Sequence, residues 1–136
     1  MNGNLHAAKR SKADEFYTRY EDIAAELAAN VAHDPGLFPG ATVLLPCDDW
    51  EWSQFTAYFL DHFDEYAQAR LISTCRVEGG RGKILDRTTS GTMTGLLAGD
   101  GDFRSPEVTA LRGQADFIIT NPPFSLFREF LKWTLA

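Results

Sequence analysis

Asn121-Pro122-Pro123-Phe124 is the stretch of this chain whose residue types and spacing suit a specific chemistry. The Asn side-chain carbonyl and the backbone carbonyl of the first proline make two hydrogen-bond acceptors, and the prolines stiffen the turn that holds them. Two such acceptors match the two N–H bonds of an exocyclic amine such as N6 of adenine. That nitrogen is a poor nucleophile while its lone pair is delocalised into the ring; accepting both N–H bonds draws it toward tetrahedral geometry. The ring of Phe124 then offers a stacking face for a base taken out of its helix. No strong general base is required, because the amine loses its proton after attack. The plainer alternative is a Pro-Pro turn that ends a strand, since Asn and Pro are ordinary turn residues. Context favours the chemical reading, because the motif follows an apolar run and precedes a helical one.

The elements that would position this turn can be read along the chain. Residues 1–13 are polar without periodicity and read as a flexible arm. A helix starts after Thr18, with Thr18 and Glu21 as a capping box and Ile23, Leu27 and Val31 on one face, and it stops before Pro35-Gly36. Thr42–Leu45 is a buried strand between Gly40 and Pro46. A helix lined by Phe55, Phe59 and Phe63 leads from it to a second strand, residues 70–74, and strand-helix-strand units pair in parallel. The glycine-rich stretch 76–101 reads as a hairpin or a long loop around pieces at 83–85 and 92–97. Ser105, Pro106 and Gly113 bracket a helix of about two turns. Asp116–Thr120 is the third clear strand and must end at the prolines. Leu126, Phe130 and Trp133 then recur at helical spacing with Ser125 as a cap. The alternation gives a doubly wound α/β fold with a mostly parallel sheet and flanking helices, in which ligands bind beyond the carboxyl ends of the strands. Cys47-Asp48-Asp49 and Asn121–Phe124 both fall at that edge.

Composition narrows the functional classes. The chain has 136 residues, 44% of them hydrophobic, enough for one core. A formal net charge of −6 argues against a free-standing nucleic-acid binder, since phosphate contacts need clustered Lys and Arg. Two cysteines and three scattered histidines give no metal-ligand spacing, and Cys47 and Cys75 suit reduced thiols better than a disulfide framework. No apolar run approaches a membrane span, which points to a cytoplasmic protein.

Four ordered segments carry a family resemblance. They are Asp14–Thr18 with Tyr20-Glu21-Asp22; Cys47-Asp48-Asp49 with Ser53 and Phe55; Gly101–Ser105; and Thr120–Glu129. Together they resemble the adenine-specific DNA methyltransferases of the EcoRI type. The resemblance implies a partial Rossmann-like fold that binds S-adenosyl-L-methionine and methylates N6 of a flipped adenine in double-stranded DNA, with Asn121, Pro122, Pro123 and Phe124 as the catalytic motif. It also implies cofactor contacts from Phe16, Tyr17 and Thr18 over the methionine end, from Cys47, Asp48 and Asp49 after the first strand, and from Asp102 and Phe103 around the adenine.

Plainer roles stand beside these. Thr18 can simply cap a helix, Asp48 and Asp49 can complement a helix dipole, and Asp102 can be a loop residue. The chain departs from the wider methyltransferase pattern in having Pro46-Cys47-Asp48-Asp49-Trp50 where a Gly-x-Gly loop is usual, and Glu78 is the nearest acid after the second strand. Residues 14–136 then read as an incomplete catalytic domain lacking later strands and a target-recognition region, a truncated or split form inactive alone. The last strand would leave an apolar edge beside Asn121, open to a complementing subunit or a second copy. The alternative is a non-catalytic module that binds the cofactor or a protein partner. Methylation of RNA or of a glutamine amide uses the same tetrapeptide but not the other three segments.

Overall fold

Val43, Leu44 and Leu45 are fully buried on both faces of one strand, and the sheet is built outward from them. The computed structural model describes residues 19–119 and 124–136, with only the backbone of Phe124. In chain order the elements are α1 (Tyr20–His33), β1 (Thr42–Leu45), α2 (Gln54–Asp61), β2 (Arg70–Cys75), β3 (Lys83–Thr88), β4 (Gly91–Leu96), α3 (Pro106–Arg112), β5 (Phe117–Ile118), a 3-10 turn (Phe124–Leu126) and α4 (Phe127–Leu135). The strand order is β4-β3-β2-β1-β5.

Side chains alternate across β1 and β2, so each strand feeds two cores. Val43, Leu45 and Leu71 face a cluster with Ile23, Phe38, Tyr58, Phe59 and Phe63 under α1 and α2. Leu44 and Ile72 face Leu97, Phe103, Val108, Phe130 and Trp133 under α3 and α4. Each fully buried large apolar side chain contributes about 1.5–3 kcal/mol. Helices therefore cover both faces, as the alternation of strands and helices predicts.

The expected mostly parallel sheet is corrected to a mixed one. β1 pairs in parallel with β2 and with β5, whereas β3 is antiparallel to both β2 and β4. The reason is connection length: residues 76–82 are too few for a helical crossover, which takes about a dozen residues or more, so β3 must return antiparallel. The glycine-rich stretch is thus a hairpin, with Thr89-Ser90 as its turn. Local signals set most boundaries well, including Ser105 capping Val108 N–H at 3.2 Å and Pro106 opening α3.

Four local expectations change. Arg19, not Thr18, occupies the cap position of α1, without a side-chain cap bond; it pairs instead with Asp22 at 3.3 Å. Ser125 lies inside the 3-10 turn, and α4 is capped by Leu126. Phe63 is buried as expected but lies past the end of α2. Among the described residues the third strand keeps two ladder residues, Phe117 and Ile118, anchored by Asp116, which accepts Thr42 N–H at 2.8 Å. It is the edge of the sheet beyond β1 among the described residues. Residues 1–18 and 120–123 lie outside the described residues, and with them the arm, Phe16, Tyr17, Thr18, Asn121, Pro122 and Pro123.

Gly101 sets how closely the loop before α3 approaches the end of β2. Its φ is +88°, and a Cβ there would overlap the carbonyl of Cys75 at the end of β2. Gly101→Ala is therefore expected to destabilise the fold by about 2 kcal/mol or more in urea unfolding, from backbone strain plus overlap. Gly95→Ala, which meets open space, is expected to change stability by less than about 1 kcal/mol.

Candidate functional site

Two loops converge on the last residues of β2. The first leaves β1 and runs from Pro46 to Ser53. Asp48 N–H donates to Thr74 carbonyl at 2.8 Å, Ser73 Oγ donates to Asp48 carbonyl at 3.0 Å, and Thr74 Oγ1 donates to Pro46 carbonyl at 3.2 Å. The second runs from Gly99 to Phe103 and rests on Cys75 through Gly101, with Val77 N–H donating to Asp100 carbonyl at 2.8 Å. Both lie at the carboxyl edge of the parallel strands, where an open α/β sheet has room for a ligand.

Asp48 is the most buried acid of the site, 4% exposed. A carboxylate in that position requires donors, since burying an ionised group without hydrogen bonds is costly. Ser53 Oγ donates to its Oδ2, as does Thr56 Oγ1 at 3.1 Å, and Thr56 Oγ1 lies 3.0 Å from Ser73 Oγ. Ser53 also caps α2 by accepting Thr56 N–H at 3.3 Å. One serine thus joins the helix start to the buried acid.

Asp49 is turned toward β3. Burial raises its pKa, but bonds from Lys83, Trp52 and Glu51 N–H outweigh that and hold the carboxyl below the ordinary range. Burial would lower the pKa of Lys83, yet its bonds to Asp49 and Glu51 raise it to about 12. Asp102 is held below the usual range by Arg104, its carboxylate accepting Nε at 3.0 Å and Nη2 at 2.8 Å. Arg76 lies 3.4 Å from Asp100 on the same side.

The structure therefore gathers Cys47, Asp48, Asp49 and Asp102 on one edge. Cys47 is half-buried and packs against Leu44 and its cluster. Phe103 is placed differently: it is 3% exposed, edge-on to Phe130 and Trp133, with the Arg104 guanidinium 5.3 Å from its ring centre. It is first a core residue, and any ligand contact would come from its rim. β5 runs parallel to β1, with Ile119 N–H donating to Leu44 carbonyl at 3.0 Å, so the chain leaves toward residue 120 at this same edge.

Sequence reasoning gave no role to Thr56, Ser73 or Lys83. Ser53 carried a readable signal, a serine directly before a helical run. The others act through partners distant in the chain and carry no local signal.

Comparison with known proteins is consistent in direction. A family described as adenine-specific methyltransferase EcoRI matches residues 4–93 and 85–135. The type II methyltransferase M.EcoRI of Escherichia coli is 38% identical over 145 residues, covering 93% of this chain and 43% of that protein. M.MpnI of Mycoplasma pneumoniae is also 38% identical, over 127 residues, covering 93% of this chain and 39% of its own length. M.MgeORF184P of Mycoplasma genitalium is 31% identical over 134 residues. This chain thus spans about two fifths of the length of these relatives. No solved structure matches it.

The Asp102–Arg104 pair gives a pH prediction. A carboxyl with a depressed folded-state pKa adds stability that is complete above its unfolded value, about 3.9, and is lost as pH falls through the folded value. In carbon-detected NMR titration Asp102 is expected to protonate below that value. Arg104→Met should move the titration upward; an unmoved midpoint would contradict the assignment of Arg104 as the cause.

Proposed function

The chain belongs to the EcoRI family of adenine-specific methyltransferases, and on that premise we propose that it forms the cofactor-binding and catalytic-motif part of a DNA adenine-N6 methyltransferase of the restriction-modification or phage type. Residues 1–13 are its arm, and residues 14–136 are part of a catalytic domain with a Rossmann-like methyltransferase fold. The observation that carries the reading is the buried carboxylate of Asp48 at the carboxyl end of β1, with a second acidic loop converging on the same strand end.

The acceptors of this edge fit the cationic and donor groups of S-adenosylmethionine. That molecule presents an ammonium, a sulfonium, two ribose hydroxyls and an adenine amine, which acceptors complement, besides one carboxylate, which needs donors. Asp48 and Asp49 suit the ammonium and hydroxyls, and Asp102 suits the adenine amine. Phe103 borders the adenine, Cys47 packs beneath the loop, and Phe16, Tyr17 and Thr18 cover the methionine end. When bound, the cofactor supplies an electrophilic methyl group on sulfur.

The chain's part in the reaction is to orient the nucleophile. The side-chain oxygen of Asn121 and the carbonyl of Pro122 accept the two N–H bonds of the target amine, Pro123 stiffens the turn, and Phe124 stacks on the flipped base. With a net charge of −6, the basic surface that grips double-stranded DNA belongs to regions outside these residues. The β5 edge is where a further strand, from a complementing subunit or another copy, would pair.

The test is made in a protein that joins this chain to the region its relatives carry besides it. Asn121→Ala is expected to lower methyl transfer to DNA by at least about 100-fold and to leave S-adenosylmethionine binding largely intact. Retained transfer would overturn the proposal.

A further inference from the structure

The loop from Pro46 to Ser53 has no glycine, so its shape must be imposed by its neighbours. Its first half is fixed by β2, through Ser73 and Thr74. Its second half carries two acids two residues apart, Asp49 and Glu51, which repel one another unless a cation lies between them. Lys83 supplies that cation. It opens β3, and because β3 runs antiparallel to β2, its position is opposite Cys75, at the carboxyl edge. Its ammonium lies 2.8 Å from Asp49 Oδ1, 2.8 Å from Glu51 Oε1 and 5.8 Å from the centre of the Trp50 ring.

Resting on the cofactor reading above, we propose that Lys83 is a positioning residue: its ammonium, shared by Asp49 and Glu51, holds residues 49–51 against β3 and so fixes where Asp49 presents its carboxylate to the cofactor beside Asp48. The clamp gives this glycine-free loop a fixed shape where the wider methyltransferase pattern has a Gly-x-Gly turn. Its effect falls on binding more than on folding. The Lys83 side chain is 22% exposed and Glu51 is 54% exposed, and ion pairs in such positions add little to stability. A loop already held in its binding shape, by contrast, spares the ligand the cost of ordering it.

The experiment is calorimetry of this chain with S-adenosylmethionine, alongside unfolding midpoints, for wild type, Lys83→Met and Lys83→Arg. Lys83→Met keeps the stem and removes the charge; it is expected to weaken binding roughly ten-fold with a small change in midpoint, as supporting residues around ligand sites do. Lys83→Arg, which can still reach both carboxylates, is expected to restore most of the affinity. In the complete enzyme the Lys83→Met loss should appear as a raised KM for the cofactor with kcat kept. Equal affinity in wild type and Lys83→Met would overturn the proposal, as would a loss that follows the unfolding midpoint and is not rescued by arginine. If wild type binds no cofactor, the function reading fails instead. The clamp is then judged by amide exchange at residues 49–52, where faster exchange in Lys83→Met supports it and unchanged exchange overturns it.

Discussion

A carboxylate buried at the end of a central strand constrains everything packed around it. Asp48 cannot stay where β1 leaves it unless donors converge on its oxygens, because the interior offers no water to replace them. The chain meets this need with hydroxyls from α2, Ser53 and Thr56, and β2 adds Ser73 against Thr56 and the Asp48 carbonyl. That requirement places polar residues where a purely structural core would be apolar. It also ties the start of α2 to the ends of β1 and β2, so the most deeply supported part of the molecule is also the edge proposed as the cofactor site.

Charge is arranged around the same edge. Acids dominate it, and several are matched by bases from outside their own loop or turn: Asp49 and Glu51 by Lys83, Asp100 by Arg76, with Asp102 matched locally by Arg104. Such pairs add little to stability when exposed. Their consequence is geometric, since each directs a carboxylate and fixes the loop that carries it. An edge rich in oriented acceptors suits a cationic, donor-rich ligand and disfavours a bare phosphate.

How much of this was legible in the sequence depends on whether the cause is local. Thr42–Leu45, the Ser105–Gly113 brackets and the Phe59 face rest on near-neighbour patterns, and the structure keeps them. Sheet direction was not legible, because it is set by connection length, a topological constraint: residues 76–82 turn β3 back on β2, and Thr89-Ser90 turns β4, which carries few apolar residues, back on β3. Asp48 and Asp49 were legible as candidates from their place after a buried strand. Their different fates, one buried among hydroxyls and the other turned to Lys83, depend on residues from five to 34 positions away. Phe103 shows the same limit: its loop neighbours suggest exposure, but Phe130 and Trp133 draw its ring into the core.

If the edge formed by residues 46–53 and 99–103 holds the cofactor, amide hydrogen exchange on this chain with and without saturating S-adenosylmethionine will register it there. Slower exchange concentrated in those two segments is the expected result. Unchanged exchange there, or protection confined to the opposite end of the strands around Gly40 and Ala67, would contradict it.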